Sequence, residues 1–363
     1  MKNIIFRVDS GFEIGSGHLM RCVTLAKNLE KQGSFRCMFL TRPNDGNFTD
    51  IIVKSGFRVI LLVNDSIIGR NSVDYVEWLG TSQEHDASQC LKALEDHEID
   101  ILVVDHYALD IQWEMNFVKL SKKIVVIDDL ANRKHCCDII LDQNMAPDYL
   151  TRYDNLVPKK CKKFTGISYC LLRDDFIRIK KSINVRKKMK SLLIFFGGVD
   201  KDNATLLILI ELEGYLNKFI EVKVVVGQHN PFRNLVKGFC DKYDNCTYLE
   251  QVDNMAELMA KADISIGAGG ATTGERIFLG LPSIVFSLAD NQVEVSKYLH
   301  EKKYICYLGD QDRIKTSNII AELEKFMHSP NLLQNESNNL LKIGESQLSR
   351  FIYEIVSFNV EMS

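Results

Sequence analysis

The chain has 363 residues, a length that predicts roughly two domains rather than one compact core. Hydrophobic residues make up 46% and charged residues 26%, a balance that argues against a disordered or fibrous chain. The formal net charge is −3, so no strong overall field is available to hold nucleic acid or an anionic membrane.

The N-terminal residues and the cysteines indicate the cellular compartment of the protein. No apolar run approaches the roughly 20 residues that span a bilayer. Residues 1–9 lack the longer apolar region and the small-residue cleavage site of a signal peptide. We therefore expect a cytoplasmic protein whose ten cysteines, which form no Cys-x-x-Cys pair, are reduced and mostly buried thiols.

Short apolar runs rich in Val and Ile recur along the first half, as in buried parallel strands. Strands are predicted at residues 4–8, 37–40, 59–63, 101–105, 124–128 and 138–141. Segments of helical length lie between most of them, for example residues 18–32 and 82–97. This alternation predicts an α/β layer architecture.

The alternation weakens over residues 145–190, where residues 178–190 carry seven Lys or Arg. A nucleic-acid arm is one interpretation of this basic stretch, and a solvated linker leading into a helix is the one that we favour. The pattern then restarts, with strands predicted at residues 192–196, 222–226, 246–250, 264–267, 283–286 and 305–308.

Two doubly wound, Rossmann-like α/β domains facing across a cleft are therefore predicted. We assign residues 1–160 to the first domain, 161–190 to a linker and 191–340 to the second domain. Residues 341–363 are expected to form a C-terminal helix that packs back on the first domain. In open α/β sheets, ligands bind beyond the carboxyl ends of the strands, so the loops there are the candidates for function.

The first candidate loop leaves the first strand and enters a helix at about His18. Gly15 and Gly17 permit close approach of a ligand to the backbone, and the helix start offers unpaired N–H groups. A Rossmann dinucleotide site fits badly, because the third glycine and the acidic residue after the second strand are missing. The helix start disfavours a cationic imidazole, so His18 is a candidate general base toward water. The alternative is a histidine that only caps or bonds the loop.

The second loop follows the first strand of the second domain and contains Gly197 and Gly198. Backbone contact of these glycines with a ligand is one interpretation. The other is a tight turn into a helix that Asp202 or Asn203 caps.

The third loop, residues 267–276, is the most distinctive. Gly269 and Gly274 have Walker A spacing, but Glu275 stands where that motif needs Lys, which excludes an NTPase loop. A glycine-rich helix start remains, a cradle suited to a diphosphate, and its contacts are predicted at Gly269, Gly270, Thr272 and Thr273. Glu275 either accepts hydrogen bonds from a ribose diol or only complements the helix dipole. Diphosphate and ribose together indicate a nucleotide sugar.

Two further segments follow predicted strands. Asn291 and Gln292 can read sugar hydroxyl or acetamido groups, although as surface residues they need no explanation. His106 and Tyr107, with Asp105 before them, follow the fourth strand and are a similar case.

Together these loops resemble one family, the UDP-2,4-diacetamido-2,4,6-trideoxy-β-L-altropyranose hydrolases of bacterial pseudaminic acid biosynthesis. The fold of that family is similar to the GT-B glycosyltransferases, especially the MurG type. The matching motifs are Arg7-x-Asp9, Ile14-Gly15-Ser16-Gly17-His18-x-Met20-Arg21-Cys22, Asp105-His106-Tyr107 with Trp113-Glu114, Leu171-Leu172-Arg173, Phe196-Gly197-Gly198-x-Asp200, Met255-Ala256-x-x-Met259, Gly267-Ala268-Gly269-Gly270 with Glu275-Arg276, Gly280-Leu281-Pro282-Ser283 and Asn291-Gln292.

The resemblance implies hydrolysis, in which water attacks the anomeric carbon and UDP leaves with inversion. His18 would be the general base, the two glycine-rich loops would hold the diphosphate, and Glu275 would hold the ribose. Substrate contacts are also expected from Arg21 and from Asp9, although Asp9 could instead orient His18. No metal, cofactor, nucleic acid or membrane insertion is implied.

Two other functions stay open at this point. A MurG-like UDP-sugar glycosyltransferase would use His18 and Glu275 in nearly the same places. It needs an acceptor surface, however, and the first domain shows no amphipathic stretch for one. A non-catalytic nucleotide-sugar sensor would explain the cradle but leaves His18 without a purpose.

Overall fold

The computed structural model describes residues 1–63, 75–316 and 318–358, and these form two compact units. Unit 1 contains residues 1–143, 148–171 and the chain from Gln347 onward. Unit 2 contains residues 144–147 and 172–346. Among the described residues, no helix is long and apolar enough to cross a membrane.

Unit 1 is built on a parallel sheet, which has seven strands among the described residues. Its strands are β1 Lys2–Val8, β2 Phe35–Thr41, β3 Arg58–Leu61, β4 Ile99–Asp105, β5 Ser121–Ile127, β6 Ile139–Asp142 and β7 Lys162–Thr165, in the order β3-β2-β1-β4-β5-β6-β7. Its helices are α1 Gly17–Glu30, α2 Thr49–Lys54, α3 Gln83–Ala93 and α4 Ile111–Glu114, with a last helix from the C-terminal segment.

Unit 2 is built on a second parallel sheet, which has six strands among the described residues. Its helices before and between the strands are α5 Asp174–Lys180, α6 Ala204–Glu211, α7 Arg233–Cys240, α8 Met255–Lys261, α9 Thr272–Phe278 and α10 Val293–Glu301. Its strands are β8 Ser191–Phe195, β9 Glu221–Val226, β10 Cys246–Glu250, β11 Ile264–Ala268, β12 Ser283–Ser287 and β13 Cys306–Asp310, in the order β10-β9-β8-β11-β12-β13. After the last strand, α11 Ile319–His328 and α12 Pro330–Ile343 belong to unit 2, and α13 Leu348–Val356 belongs to unit 1.

Both strand orders reverse at the first strand of the unit, which is the switch point of a doubly wound sheet. In unit 1 the reversal lies between β1 and β4, where Val8 is in register with Asp105. In unit 2 it lies between β8 and β11, where Phe195 is in register with Gly267. Loops that leave adjacent strands diverge at these points, so a crevice is expected at the carboxyl edge of each unit.

The predicted fold class is confirmed, and its cause is visible in the strands. Every residue of β4 is buried, including its two aspartates, because helices cover such a sheet on both faces. Each predicted strand overlaps an observed one to within three residues at either end. A helix can be shorter than predicted: α3, for example, spans Gln83–Ala93, within the predicted segment 82–97.

The structure differs from the predicted domain scheme at two places. Residues 162–165, predicted as linker, form β7, which pairs with β6 in unit 1. The segment from residue 341 onward, predicted as one C-terminal helix, begins with the end of α12 in unit 2 and continues with α13 in unit 1. The buried face of α13 explains its position, since Phe351 packs against Phe164 of β7 with ring centroids 5.2 Å apart.

Candidate functional site

His18 is the second residue of α1 and lies at the carboxyl edge of unit 1. The helix begins after Ser16, whose side chain makes no capping hydrogen bond. Because β1 is the direct neighbour of β4, the start of α1 brings the imidazole against the last residue of β4. His18 Nδ1 is 2.6 Å from Asp105 Oδ1.

Asp105 is a buried carboxylate with three charged or polar neighbours. Arg21 Nε donates to its Oδ2 at 2.6 Å, and Arg21 Nη2 donates to its Oδ1 at 2.7 Å. Burial raises the pKa of Asp105, but Arg21 and His18 outweigh this and hold it well below its usual range. Asp105 therefore stays ionised, which fixes the direction of its hydrogen bond with His18.

An ionised Asp105 can only accept, so the proton of a neutral His18 lies on Nδ1. The lone pair is then on Nε2, which forms no hydrogen bond to any described residue. The His18 side chain keeps 10% of its surface exposed, whereas that of Asp105 is fully covered. This arrangement is that of a histidine base oriented by a carboxylate, which also stabilises the imidazolium that forms on proton uptake.

An aromatic wall lies beside His18 and consists of Tyr75, Trp78 and Tyr107. The Tyr107 ring meets the imidazole edge to face at 4.5 Å, and Trp78 meets it in the same manner at 6.2 Å. Trp78 and Tyr107 stack on each other at 5.6 Å. The wall restricts the ring positions open to His18.

The structure gives Asp9 a role other than the two predicted from the sequence. Its side chain is fully buried and accepts bonds from Arg7 at 2.6 and 2.9 Å and from the backbone N–H of Arg42 at 2.7 Å. His106 Nε2 lies 3.3 Å from Asp9 Oδ2. Asp9 therefore neither orients His18 nor offers a free oxygen to a substrate, because its oxygens are committed inside unit 1.

His106, Arg21 and Tyr107, predicted as substrate contacts, are also held by the protein. His106 is buried against Asp9, and its Nδ1 accepts from the N–H of Ala108. Arg21 bridges Asp105 and Asp129, with Nη1 donating to Asp129 Oδ2 at 3.0 Å. The hydroxyl of Tyr107 donates to the other oxygen of Asp129. Arg21 and Tyr107 contact the His18 ring, whereas His106 belongs to the cluster around Asp9.

Gly15 and Gly17 lie just before His18 and have open backbone. Gly15 has φ of +76°, which explains glycine there, and an added Cβ at either position would meet no atom within 4 Å. Gly17 does not have a positive φ, so nothing in the fold itself requires glycine at position 17. The open space fits the predicted approach of a ligand.

In unit 2, the loop after β8 caps its own helix. Asp200, with φ of +48°, accepts from the N–H groups of Ala204 at 2.8 Å and Thr205 at 3.0 Å. The predicted caps Asp202 and Asn203 are not used in this way. The start of α6 is therefore occupied by a carboxylate. Gly197 and Gly198 remain half-buried at the carboxyl edge, and the backbone of Gly198 packs directly on Gly227.

The loop after β11 combines one packed and one open glycine. A Cβ on Gly269 would lie 2.5 Å from Ser296 Oγ, so packing against α10 requires glycine there. A Cβ on Gly270 would meet only Gln292 Nε2, at 3.6 Å. Gln292 Oε1 accepts from the N–H of Leu288, which aims its amide N–H groups at the open glycine. Asn291 is half-buried one residue before it.

The two threonines of this loop differ. Thr273 is buried and accepts a hydrogen bond from Arg276 Nη2 at 2.9 Å, while the same nitrogen donates to the carbonyl of Ala268. The Thr273 hydroxyl thus helps to hold the loop to its own helix. Thr272 is half-buried and retains its hydroxyl for a ligand.

Glu275 is a desolvated carboxylate of unit 2. It is half-buried on α9, and no described residue donates a hydrogen bond to its carboxylate. Burial raises the pKa of Glu275 to about 7, with Arg173 opposing and Asp175 adding to the rise. Burying an ionised carboxylate without hydrogen-bond donors is unfavourable in free energy, and a ligand that supplies hydroxyl donors would offset that penalty.

Sequence reasoning named the motif of Asp105 but assigned it no role, and it did not single out Asp129. Strand adjacency is the missing information for Asp105, because it is 87 positions from His18 in the sequence and only the pairing of β1 with β4 brings the two together. An aspartate that ends an apolar strand is the available signal. Asp129 is the second of two aspartates after β5, a weaker form of the same signal.

The comparisons with known proteins agree with these motifs. Residues 193–351 match the model of the glycosyltransferase family 28 C-terminal domain. A Campylobacter jejuni protein, UDP-2,4-diacetamido-2,4,6-trideoxy-beta-L-altropyranose hydrolase, is 27% identical over 83% of this chain and 97% of its own. The resemblance predicted from the motifs is thereby confirmed. A Methanocaldococcus jannaschii protein is 28% identical over 80% of this chain, which spans only 56% of that relative's length.

Solved structures of other proteins share this fold. Acinetobacter baumannii MurG aligns over 98% of this chain and 99% of its own, with a TM-score of 0.62 and 13% identity. Spinosyn rhamnosyltransferase SpnG, solved with thymidine diphosphate, aligns over 98% of this chain and 100% of its own, with a TM-score of 0.68 and 15% identity. The chain therefore has the GT-B fold.

Proposed function

We propose that this chain hydrolyses UDP-2,4-diacetamido-2,4,6-trideoxy-β-L-altropyranose to UDP and the free sugar. The observation that carries the proposal is the His18–Asp105 pair, which leaves a basic nitrogen at the carboxyl edge of unit 1. The likeness to the Campylobacter jejuni hydrolase over most of both chains supports the substrate. The pseudaminic acid pathway and the surface glycans that it supplies are the expected setting.

The reaction is a single displacement. His18 Nε2 accepts a proton from water while the water oxygen bonds to the anomeric carbon. The bond from that carbon to the UDP oxygen breaks, and its electron pair leaves with UDP. Asp105 stays ionised throughout and stabilises the imidazolium. Attack opposite to the leaving group inverts the anomeric configuration.

Unit 2 holds the nucleotide in this proposal. The open backbone at Gly270 and the amide of Gln292 offer N–H donors to the diphosphate, whose negative charge grows as it leaves. Glu275 accepts the hydroxyls of the ribose, which compensates a carboxylate that otherwise has no donor. Gly15 and Gly17 of unit 1 contribute backbone on the diphosphate side.

A UDP-sugar glycosyltransferase is the second candidate, favoured by the family 28 match of residues 193–351. Such an enzyme would use His18 to deprotonate an acceptor hydroxyl instead of water. The two functions differ in one observable: a hydrolase releases UDP without an acceptor.

The test is to incubate the protein with the UDP-linked diacetamido sugar alone and to measure UDP and free sugar. We expect stoichiometric release by the wild type and a loss of about 10²- to 10⁴-fold in His18→Ala, with UDP binding unchanged by calorimetry. His328→Ala, at an exposed position in the last turn of α11, is the control and should keep full activity. Release that requires an added acceptor would replace the hydrolase with the transferase. Full activity of His18→Ala would remove His18 from the mechanism.

A further inference from the structure

Arg276 is a buried arginine that lies beneath the loop after β11, with only 2% of its surface exposed. Its Nη2 donates to the carbonyl of Ala268 at 2.5 Å and to the Thr273 hydroxyl at 2.9 Å. Its Nη1 lies beside Gly267, where an added Cβ would be 2.7 Å from that nitrogen. Long side chains on a helix point back toward the helix start. Arg276, the fifth residue of α9, therefore reaches the carboxyl edge of the sheet.

The guanidinium lies at the switch point of the unit 2 sheet. The carbonyl oxygen of Phe195, the last residue of β8, is 2.2 Å from the same Cβ position on Gly267 that Nη1 approaches. Phe195 and Gly267 are in register. The positive charge of Arg276 is therefore located where the loops after β8 and β11 diverge, and ligands bind at this point in sheets of this kind.

No carboxylate among the described residues forms an ion pair with this guanidinium, although Glu275 precedes it in the sequence. Burial lowers the pKa of Arg276 to about 10, and Glu275 opposes this only in part, so Arg276 stays protonated at neutral pH. Its Nε is buried without a hydrogen-bond partner among the described residues. A buried cation with so few acceptors is unfavourable in free energy until an anion compensates it.

Arg186, a second buried arginine of unit 2, shows how such a charge is compensated elsewhere. Its three guanidinium nitrogens donate to the carbonyls of Ala262, Leu279 and Met259 at distances of 2.5 to 2.9 Å. These carbonyls lie at the ends of α8 and α9, where the partial negative charge of a helix end favours a cation. Arg276 has one carbonyl and one hydroxyl instead, so more of its charge is left for an anion at the loop.

We propose that Arg276 is a positioning residue whose buried positive charge attracts the diphosphate of the nucleotide from beneath residues 267–270. The charge acts across the loop backbone, because the side chain is covered and its Nη2 is bound to the loop. The ligand that it favours is a nucleoside diphosphate over a monophosphate or a free nucleoside. The inference rests on the proposed function for the nucleotide, but it concerns binding and not hydrolysis.

The experiment measures by calorimetry the affinities of UDP, UMP and uridine for the wild type and for Arg276→Met, at pH 7 and one ionic strength. Loss of the charge should weaken UDP binding about tenfold, since a unit charge in a poorly solvated site acts strongly on a nearby anion. The loss should be smaller for UMP and less than about twofold for uridine, which has no phosphate for the charge to attract.

Arg276→Lys and Arg276→Gln separate the charge from the shape of the loop. Both variants keep one donor for the carbonyl of Ala268, but only lysine keeps the charge. Arg276→Lys should bind UDP within about threefold of the wild type, and Arg276→Gln should show the same graded loss as Arg276→Met. This pair of variants also gives the answer if Arg276→Met does not fold.

Arg186→Gln is the matched control, because it removes a buried charge at the amino edge of the same sheet and should leave the affinity for UDP unchanged. Equal losses for UDP and uridine, equal UDP affinities of Arg276→Lys and Arg276→Gln, or the same loss in Arg186→Gln would overturn the proposal. If the wild type shows the graded pattern but releases no UDP from the UDP-linked sugar, the proposed function fails and the inference about Arg276 stands. If the wild type hydrolyses that sugar and Arg276→Gln binds UDP normally, only the inference fails.

Discussion

Polar groups at the carboxyl edge of the sheet are paired within the protein in unit 1, whereas in unit 2 some of them have no partner among the described residues. In unit 1 the charged side chains are paired with one another: Asp105 with Arg21 and His18, and Asp9 with Arg7. In unit 2, Glu275 has no donor among the described residues, and the Gly270 backbone is open. A base must be oriented before its substrate arrives, whereas a binding site keeps its polar groups for the ligand. The difference supports the proposal that unit 1 carries the chemistry and unit 2 binds the nucleotide.

The largest expected effect comes from breaking the orientation of His18. Asp105→Asn should reduce the rate of UDP release by about 10²- to 10³-fold, because the amide no longer favours the His18 proton on Nδ1 and no longer compensates the imidazolium. UDP affinity, measured by calorimetry, should be unchanged. An equal loss of UDP affinity would show that the two units do not divide these tasks.

A buried pair away from the imidazole should affect stability instead. Asp9→Asn removes one partner of a fully buried ion pair with Arg7, so the free energy of unfolding in urea should fall by about 3 kcal/mol. UDP affinity should stay the same. In contrast, Asp50→Asn breaks an exposed pair and should change stability by less than about 1 kcal/mol. A loss of substrate affinity without a loss of stability in Asp9→Asn would return Asp9 to the binding site.

Replacing Glu275 should increase the stability of the protein and weaken its binding of UDP. The folded protein holds the Glu275 proton up to about pH 7, above the ordinary pKa of 4.5, so this residue makes stability fall as the pH rises from about 4.5 to 7. Glu275→Gln should therefore raise the melting temperature at pH 8 and change it little at pH 4. The same variant should bind UDP about tenfold more weakly at pH 8, because the charged acceptor of the ribose is lost.

The wild type should also bind UDP more tightly relative to Glu275→Gln as the pH rises through 7. Taking the ratio of the two affinities cancels the ionisation of UDP itself. A ratio that does not change with pH would mean that Glu275 does not meet the ribose as a carboxylate.

The smallest expected effects come from replacing glycines, and they compare Gly270, where a ligand is expected, with Gly238, where none is. Gly270→Ala meets only the flexible Gln292 amide and keeps an accessible φ, so it should fold normally and bind UDP a few-fold to tenfold more weakly. Gly238→Ala, within α7, also meets open space and should raise the free energy of unfolding by about 0.5–1 kcal/mol with UDP affinity unchanged. Equal behaviour of the two variants would argue that nothing binds at Gly270.

Much of the fold could be predicted because its strands are short apolar runs that helices cover on both faces. β7 was not predicted, because only one of its four residues, Phe164, is a buried apolar side chain. Pairing with β6 and packing against α13 make this segment a strand. The division of the C-terminal segment at Gly344 was missed because both helices keep an amphipathic pattern.

The candidate site could be located from the sequence, but the roles within it could not. His18 was recognisable from its place at a helix start, and this depends only on local chain order. Its partner Asp105 depends on which strands are neighbours, and the commitment of Asp9 and Thr273 to internal bonds depends on packing. Local patterns indicate where polar residues collect, whereas tertiary contacts decide which of them remain free.

The configuration of the sugar released first tests the central claim, direct attack by water that His18 has deprotonated. NMR spectra recorded in the first minutes of turnover, before mutarotation, distinguish the two anomers. The mechanism predicts that the first anomer formed has the configuration opposite to that of the UDP-linked substrate. A first-formed sugar of retained configuration would contradict direct displacement and require an intermediate bound to the protein.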